Sequence, residues 1–273
     1  MADERELLER IAVSLEQIAP DFVPPVEWLS APAYLWSNRG AQALSKLDAL
    51  PLEQLRGIDS QKTALLSNLK RLANGAAAHD MLLWGARGMG KSAVIRSAVQ
   101  AIRQDGGDIA LIQVSTEHYL EIARLIEELA GFSRKFVLFI DDLGFGEPDL
   151  QANLALRSLL DGGALGRPGN IRVAVTSNRR AIVEQEATRP EELHERDERD
   201  NTFALADRFG LTLAFHPCDQ ATYLKIVRTY IDPLGLEFDE IEAKSWAITR
   251  GNRSGRAAYQ FACEIAGRAG LAL

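Results

Sequence analysis

The sequence predicts an α/β protein: a parallel sheet with helices on both faces, preceded by an N-terminal extension and followed by an all-helical unit. Three observations predict it. Short apolar segments (81–84, 109–114, 136–140, 171–175 and 211–215) alternate with longer stretches of helical periodicity; this reads as parallel strands joined by crossover helices. A glycine-rich stretch joins the first of these segments directly to a helical one, the arrangement of a strand–loop–helix unit. Beyond Pro217 only helical patterns remain. Ligands in this class bind outside the carboxyl ends of the strands.

Along the chain, Leu7, Leu8, Ile11, Leu15 and Ile18 recur at helical spacing within 3–19 until Pro20, Pro24 and Pro25 intervene. Trp28, Pro32, Tyr34 and Trp36 follow. They belong to an extension over 1–50 that packs its aromatic rings on the body or on a neighbouring subunit; a partner-binding arm is the alternative. The core runs over 51–216. Helix 58–73 ends at Asn74-Gly75, strand 81–84 leads into helix 91–103, and Asp105-Gly106-Gly107 turns the chain into strand 109–114. Helix 117–130, strand 136–140, helix 149–161 and strand 171–175 continue the alternation, and strand 211–215 closes it. The connection over 184–200 carries eight acidic and three basic residues in seventeen; a solvated excursion is expected, with a regulated loop as the alternative. Helices near 219–231, 239–250 and 254–268 make up a C-terminal unit over 217–273.

Composition narrows the function classes. The apolar fraction is 47% and the formal net charge −7. No apolar run approaches the ~20 residues that span a bilayer, and Met1 to Glu6 are charged with no apolar signal core. A cytoplasmic protein with no membrane partner is expected. Cys218 and Cys263 suit reduced core thiols, and the four histidines are scattered with no zinc spacing. The acidic balance speaks against a nucleic-acid partner, although it does not bar a local basic patch.

Gly85-Ala86-Arg87-Gly88-Met89-Gly90-Lys91-Ser92 satisfies every fixed position of the phosphate-loop pattern G-x-x-x-x-G-K-[ST]. Glycines let backbone N–H groups turn toward a phosphate, Lys91 reaches the β- and γ-phosphates, and the Ser92 hydroxyl can ligate Mg²⁺. The helix continuing through Ala93 points its positive end at the same place. ATP and Mg²⁺ are therefore the expected ligands. Strand 136–140 ends in Asp141-Asp142. A carboxylate at such a tip holds Mg²⁺, and Asp141 is assigned that role. Asp142, one step on, is placed to polarise an attacking water, with Glu147 ranked behind it. Strand 171–175 runs into Thr176-Ser177-Asn178; if this strand inserts between the other two, the Asn178 amide lies beside the γ-phosphate, although Ser-Asn is also ordinary turn chemistry. Arg208, ahead of the last strand, can point into a neighbour's site as an arginine finger, or be a surface arginine near a helix end. Arg256, at the start of the last helix, can fold back onto the phosphates, with Arg253 as its rival.

Together these residues resemble the AAA+ ATPases. Leu55-Arg56-Gly57-Ile58-Asp59-Ser60-Gln61-Lys62 is similar to the element L-x-G-x-[DE]-x-x-K, which the resemblance places along the adenine pocket, making Ile58 a candidate contact. In family terms the chain then has Walker A at 85–92, Walker B at 136–142, sensor 1 at Asn178, an arginine finger at Arg208 and sensor 2 at Arg256. The resemblance spans about residues 51 to 270 by this motif order. Asp141-Asp142-Leu143, Thr176-Ser177-Asn178-Arg179-Arg180, Asp207-Arg208-Phe209-Gly210-Leu211 and Arg253-Ser254-Gly255-Arg256 look like one bacterial branch in particular, a domain of unknown function. Most AAA+ enzymes carry Glu where Asp142 stands. The resemblance implies a homo-oligomeric ring, with a hexamer among the candidate sizes, that couples ATP hydrolysis to remodelling of a protein client. A slow nucleotide switch and a helicase-loader-like ATPase are the alternatives. No client-gripping pore loop is recognisable in the sequence; Lys135 and the region of Tyr119 are the candidates to contribute one.

Overall fold

The computed structural model describes residues 26–115, 121–144, 168–178 and 205–273, together with 7, 10–11, 156–157 and 159–161. Seven strands form one sheet: β1 (Ala33–Ser37), β2 (Gly40–Leu44), β3 (Met81–Gly85), β4 (Ile109–Val114), β5 (Lys135–Ile140), β6 (Ile171–Ser177) and β7 (Leu211–Phe215). Their spatial order is β2-β1-β4-β5-β6-β3-β7, and every pair except the β1–β2 hairpin is parallel. Helices α1 (Asp59–Ala73), α2 (Lys91–Gln104) and α3 (Ile122–Leu129) accompany the sheet, and α4 (Gln220–Ile231), α5 (Glu240–Thr249) and α6 (Gly255–Arg268) form the C-terminal unit.

The central strands form for the reason read in the sequence. Phe136 to Ile140 and Met81 to Leu83 are wholly buried, so both faces of these strands are covered, as parallel strands require. One core holds Leu82, Trp84, Leu138, Ile140 and Val175, and another holds Leu83, Val94, Val137, Phe139 and Ala174; alternate residues of each strand feed opposite cores. A third core, built on Tyr223, Val227 and Phe261, holds the C-terminal helices together. Asp219, Asp239 and Ser254 cap those helices by accepting from backbone N–H groups.

The N-terminal segment contributes to the sheet itself. The sequence reading contains no strand before residue 81, yet Ala33–Ser37 pairs in parallel with β4 and folds back through β2. Trp28, Tyr34 and Trp36 are buried, and Trp28 meets Phe136 edge to face at 6.1 Å between ring centroids. The buried Arg134 guanidinium fastens this segment by donating to the Trp28 carbonyl at 2.7 Å and the Ala31 carbonyl at 3.0 Å. Five residues of mixed polarity are too short for periodicity to separate strand from loop; the exposed edge of β4 decides it by offering a parallel partner. Helix α3 begins at Ile122, and residues 117–120 of the expected helix 117–130 lie outside the described residues. Most of helices 3–19 and 149–161, and the whole charged connection 184–200, lie outside them as well.

The strand order positions the site. Strand β6 inserts between β5 and β3, the condition that the Asn178 assignment required. Val175 stands opposite Ile140, and Ser177 opposite Trp84. The residues that follow β3, β5 and β6 therefore emerge side by side at one edge of the sheet.

Candidate active site

The loop after β3 is shaped by three glycines with positive φ: Gly85 at 119°, Gly88 at 74° and Gly90 at 90°. At Gly85 a side chain is also barred by space, since a Cβ there would lie 2.2 Å from the Phe215 carbonyl oxygen of β7. Ala86 N–H donates to that same carbonyl at 2.7 Å, which ties the loop to the sheet. Gly90 precedes the first turn of α2.

Lys91 turns back under the loop. Its side chain is buried, and Nζ donates to the carbonyls of Gly85 and Ala86, both at 2.9 Å, and to Asn178 Oδ1 at 2.8 Å. Burial pushes the ammonium down to about 8; Asp142 and Asp141 work against that shift, while Arg256 and Arg87 add to it. The Asn178 amide then donates through Nδ2 to Asp142 Oδ1. One side chain from the end of β6 thus joins the loop lysine to the second aspartate.

Asp141 belongs to a second network. Its Oδ1 accepts from Ser92 Oγ at 2.6 Å and from Thr176 Oγ1 at 2.5 Å. Thr176 Oγ1 also accepts from the Asp142 backbone N–H at 2.8 Å, and Leu143 N–H donates to the Thr176 carbonyl at 2.8 Å. These bonds hold the turn in which Asp142 takes a φ of 56°, a left-handed conformation that aspartate tolerates better than most residues.

The site opens into a cleft of ≈ 660 Å³. Arg87, Gly88, Met89, Gly90, Lys91, Ser92 and Ala93 line it, together with Asp141, Asp142, Thr176 and Asn178. Leu50, Leu55, Ile58 and Ile226 form an apolar portion, and Gly255, Arg256, Tyr230 and Tyr259 reach over from the C-terminal helices. The latter unit is bonded to the loop, because Arg256 N–H donates to the Gly88 carbonyl at 3.1 Å. The metal candidates Ser92 and Asp141 present hard oxygens, and no cluster of three His, Cys, Asp or Glu occurs among the described residues. Such a set suits Mg²⁺, which takes few protein ligands and completes its shell with water and phosphate oxygens.

The structure brings Ile58, Lys91, Ser92, Asp141, Asp142, Asn178 and Arg256 to one cleft. Gly85 and Ala86 lie beneath it and contribute carbonyls to Lys91. Arg208 is not among the residues lining its own chain's cleft; its Nε donates to Asp161 at 2.6 Å. Arg253 does not line the cleft either, and its carbonyl accepts from the Cys218 thiol at 3.3 Å. Lys135 opens β5, at the opposite end of the sheet from the site; Tyr119 and Glu147 lie outside the described residues. Sequence reasoning missed Thr176, Arg96, Tyr230 and Tyr259. For Thr176 a signal existed: it lies two residues before Asn178 and so shares its face of the strand.

Residues 29–269 match the protein family described as "Protein of unknown function (DUF815)". The chain belongs to this family. No curated protein matches it. Among solved structures, the chain is similar to the Thermotoga maritima RuvB Holliday junction branch migration motor, with 17% identity over 81% of this chain and 66% of that one, at a TM-score of 0.50. It is also similar to the Aeropyrum pernix ORC1 protein in complex with DNA (17% identity, 78% of this chain and 61% of that one, TM-score 0.50) and to C. elegans PCH-2 (17%, 77% and 63%, TM-score 0.51). The chain spans less than two thirds of the length of each. At this identity the likeness shows the fold, and the fold is that of the AAA+ ATPases. This member of the family thus has a mostly parallel sheet with a helical C-terminal unit, arranged as in those proteins. Among the described residues no helix is long and apolar enough to cross a membrane.

Proposed function

We propose that this protein binds Mg²⁺-ATP in the cleft and hydrolyses it to ADP and phosphate. The observation that carries this reading is the relay from Lys91 through Asn178 to Asp142, set beside the Ser92–Asp141 pair at the mouth of a phosphate loop. Loop amides and Lys91 hold the phosphates. Ser92 and Asp141 hold Mg²⁺, which neutralises phosphate charge when bound. Asp142 accepts a proton from water as the water oxygen bonds to the γ-phosphorus and the bond to the β,γ-bridging oxygen breaks, leaving ADP. Asn178 orients Asp142 and the water. Arg256 touches the phosphates of its own chain, and Arg208 acts on a neighbour, which makes the working form an oligomeric ring. Hydrolysis turns the C-terminal helices against the core through the Gly88–Arg256 contact, and that motion remodels a protein client in the cytoplasm.

A slower, switch-like hydrolysis is the second reading, favoured by the short Asp142 side chain and its bond to Asn178. The RuvB and ORC1 likenesses are to DNA-associated proteins, but the net charge of −7 does not favour a duplex-gripping surface here. The test is ATP turnover by the purified protein and by Lys91→Ala. Loss of binding or turnover in the variant is expected, and unchanged activity refutes the site. Turnover of many ATP per second by the wild type would eliminate the switch.

A further inference from the structure

Residue 87 occupies a variable place in the phosphate-loop pattern, which calls there on the backbone and assigns the side chain nothing. This chain puts an arginine there. Arg87 lines the cleft, as do Lys91 and Arg256. The cations whose charges bear on the Lys91 ammonium are Arg256 and Arg87, so one ammonium and two guanidiniums share a region of the cleft.

The seam between the loop and the C-terminal unit makes the two arginines neighbours. Arg256 N–H donates to the Gly88 carbonyl at 3.1 Å, and a Cβ built on Gly88 would lie 3.0 Å from Arg256 Cβ. Gly88 follows Arg87 directly, and consecutive Cα atoms are about 3.8 Å apart. The two side chains therefore leave the loop and helix α6 from adjoining points, one on each side of the seam. Both residues are exposed, and neither guanidinium has a hydrogen bond or ion pair among the described residues. The carboxylates of the cleft are engaged elsewhere, Asp141 by Ser92 and Thr176 and Asp142 by Asn178. Like charges so placed repel; a shared anion removes the repulsion and accepts charged hydrogen bonds from both.

We propose that Arg87 and Arg256 clamp one phosphate group between the loop and the C-terminal unit, so that the bound phosphate itself closes the seam. This rests on the reading of the cleft as a nucleotide site, and it gives the Arg87 side chain a role separate from that of the loop amides. The ligand class is a polyphosphate, free or carried by a nucleoside. Two guanidiniums, each able to donate a parallel pair of N–H groups, suit a tetrahedral phosphate better than point charges would.

The experiment is a calorimetric titration of ATP and of inorganic pyrophosphate, without Mg²⁺ so that turnover is held off. The proteins are wild type, Arg87→Gln, Arg256→Gln, the double variant and Arg87→Lys. Hydrogen exchange at the Arg256 amide is followed in the free protein and at saturating ATP. Each single glutamine variant is expected to weaken both ligands about tenfold. The double variant should fall short of the product of the two losses by about threefold or more, because residues that grip one group are coupled. Arg87→Lys, which keeps the charge without the fork, should recover part of the loss. Saturating ATP should slow exchange at the Arg256 amide in wild type and much less in Arg87→Gln. Three results would each overturn the clamp: affinities in Arg87→Gln within about threefold of wild type, a double variant equal to the product, or full ATP protection of the Arg256 amide in Arg87→Gln. A wild type that binds pyrophosphate but not ATP would bring down the nucleotide reading and leave the clamp to be decided by the pyrophosphate titrations; one that binds neither brings down both.

Discussion

The carboxamide oxygen of Asn178 accepts a hydrogen bond from the Lys91 ammonium at 2.8 Å, although the two residues are 87 positions apart. The bond makes the phosphate loop and the tip of β6 one unit around the buried Lys91, whose burial pushes its pKa down to about 8.

That depression sets a pH dependence for nucleotide binding. A polyphosphate favours the charged ammonium, so binding above pH 8 requires proton uptake. Affinity should be flat below pH 8 and fall above it, by up to about tenfold per unit. The folded protein binds fewer protons here than the unfolded chain between about 8 and 10.5. The contribution of Lys91 to stability therefore rises with pH over the same window, opposite in sign to the affinity. Titrations in buffers of different ionisation enthalpy count the protons, and loss of the rise in folding stability between pH 8 and 10.5 in Lys91→Met assigns them to this ammonium.

Thr176 should matter to both stability and turnover. Thr176→Val keeps the shape but removes the donor to Asp141 and the acceptor for the Asp142 N–H. The expected cost is about 1–3 kcal/mol of folding stability, with turnover reduced because both aspartates lose their support. Thr176→Ser, which restores the hydroxyl, should recover both. Denaturant melts and steady-state assays check this, and an active, stable valine variant would show that the networks are incidental.

Gly88→Ala should loosen the C-terminal unit from the loop. An added Cβ would lie 2.9 Å from Ser254 Oγ and 3.0 Å from Arg256 Cβ. Faster hydrogen exchange at the Arg256 amide, which donates to the Gly88 carbonyl, and weaker ATP binding are expected. Gly106→Ala is the control: its φ is also positive, at 87°, but no atom lies within 4 Å of the new Cβ. It should show the backbone strain alone, about 1 kcal/mol, without altered exchange at Arg256.

Arg208→Ala separates a finger from a surface arginine. The Arg208–Asp161 pair is exposed, so its loss should scarcely move the melting temperature. A variant that assembles with ATP yet fails to hydrolyse it supports action on a neighbour. Equal turnover by monomeric wild type and variant would leave Arg208 as an ordinary surface residue. Mass photometry and phosphate release, run on the same samples, distinguish the two.

The alternating core, the phosphate loop and the C-terminal helices were legible in the sequence because their signals are local. Strand 109–114 and strand 211–215 coincide with β4 and β7, since continuous apolar runs between turns mark buried strands. The spacing from Gly85 to Ser92 is likewise a property of one short loop. Asp141 and Asp142 were legible as a strand tip, and Asn178 only on the condition that β6 lies between β5 and β3. Tertiary structure alone decided that condition, along with the joining of residues 33–44 to the sheet edge, the Thr176 bridge and the Gly88–Arg256 contact. Each of these joins residues far apart in the chain. Which strand pairs with which depends on the packing of whole faces and on the cost of closing long loops, and the pattern of a single segment carries neither.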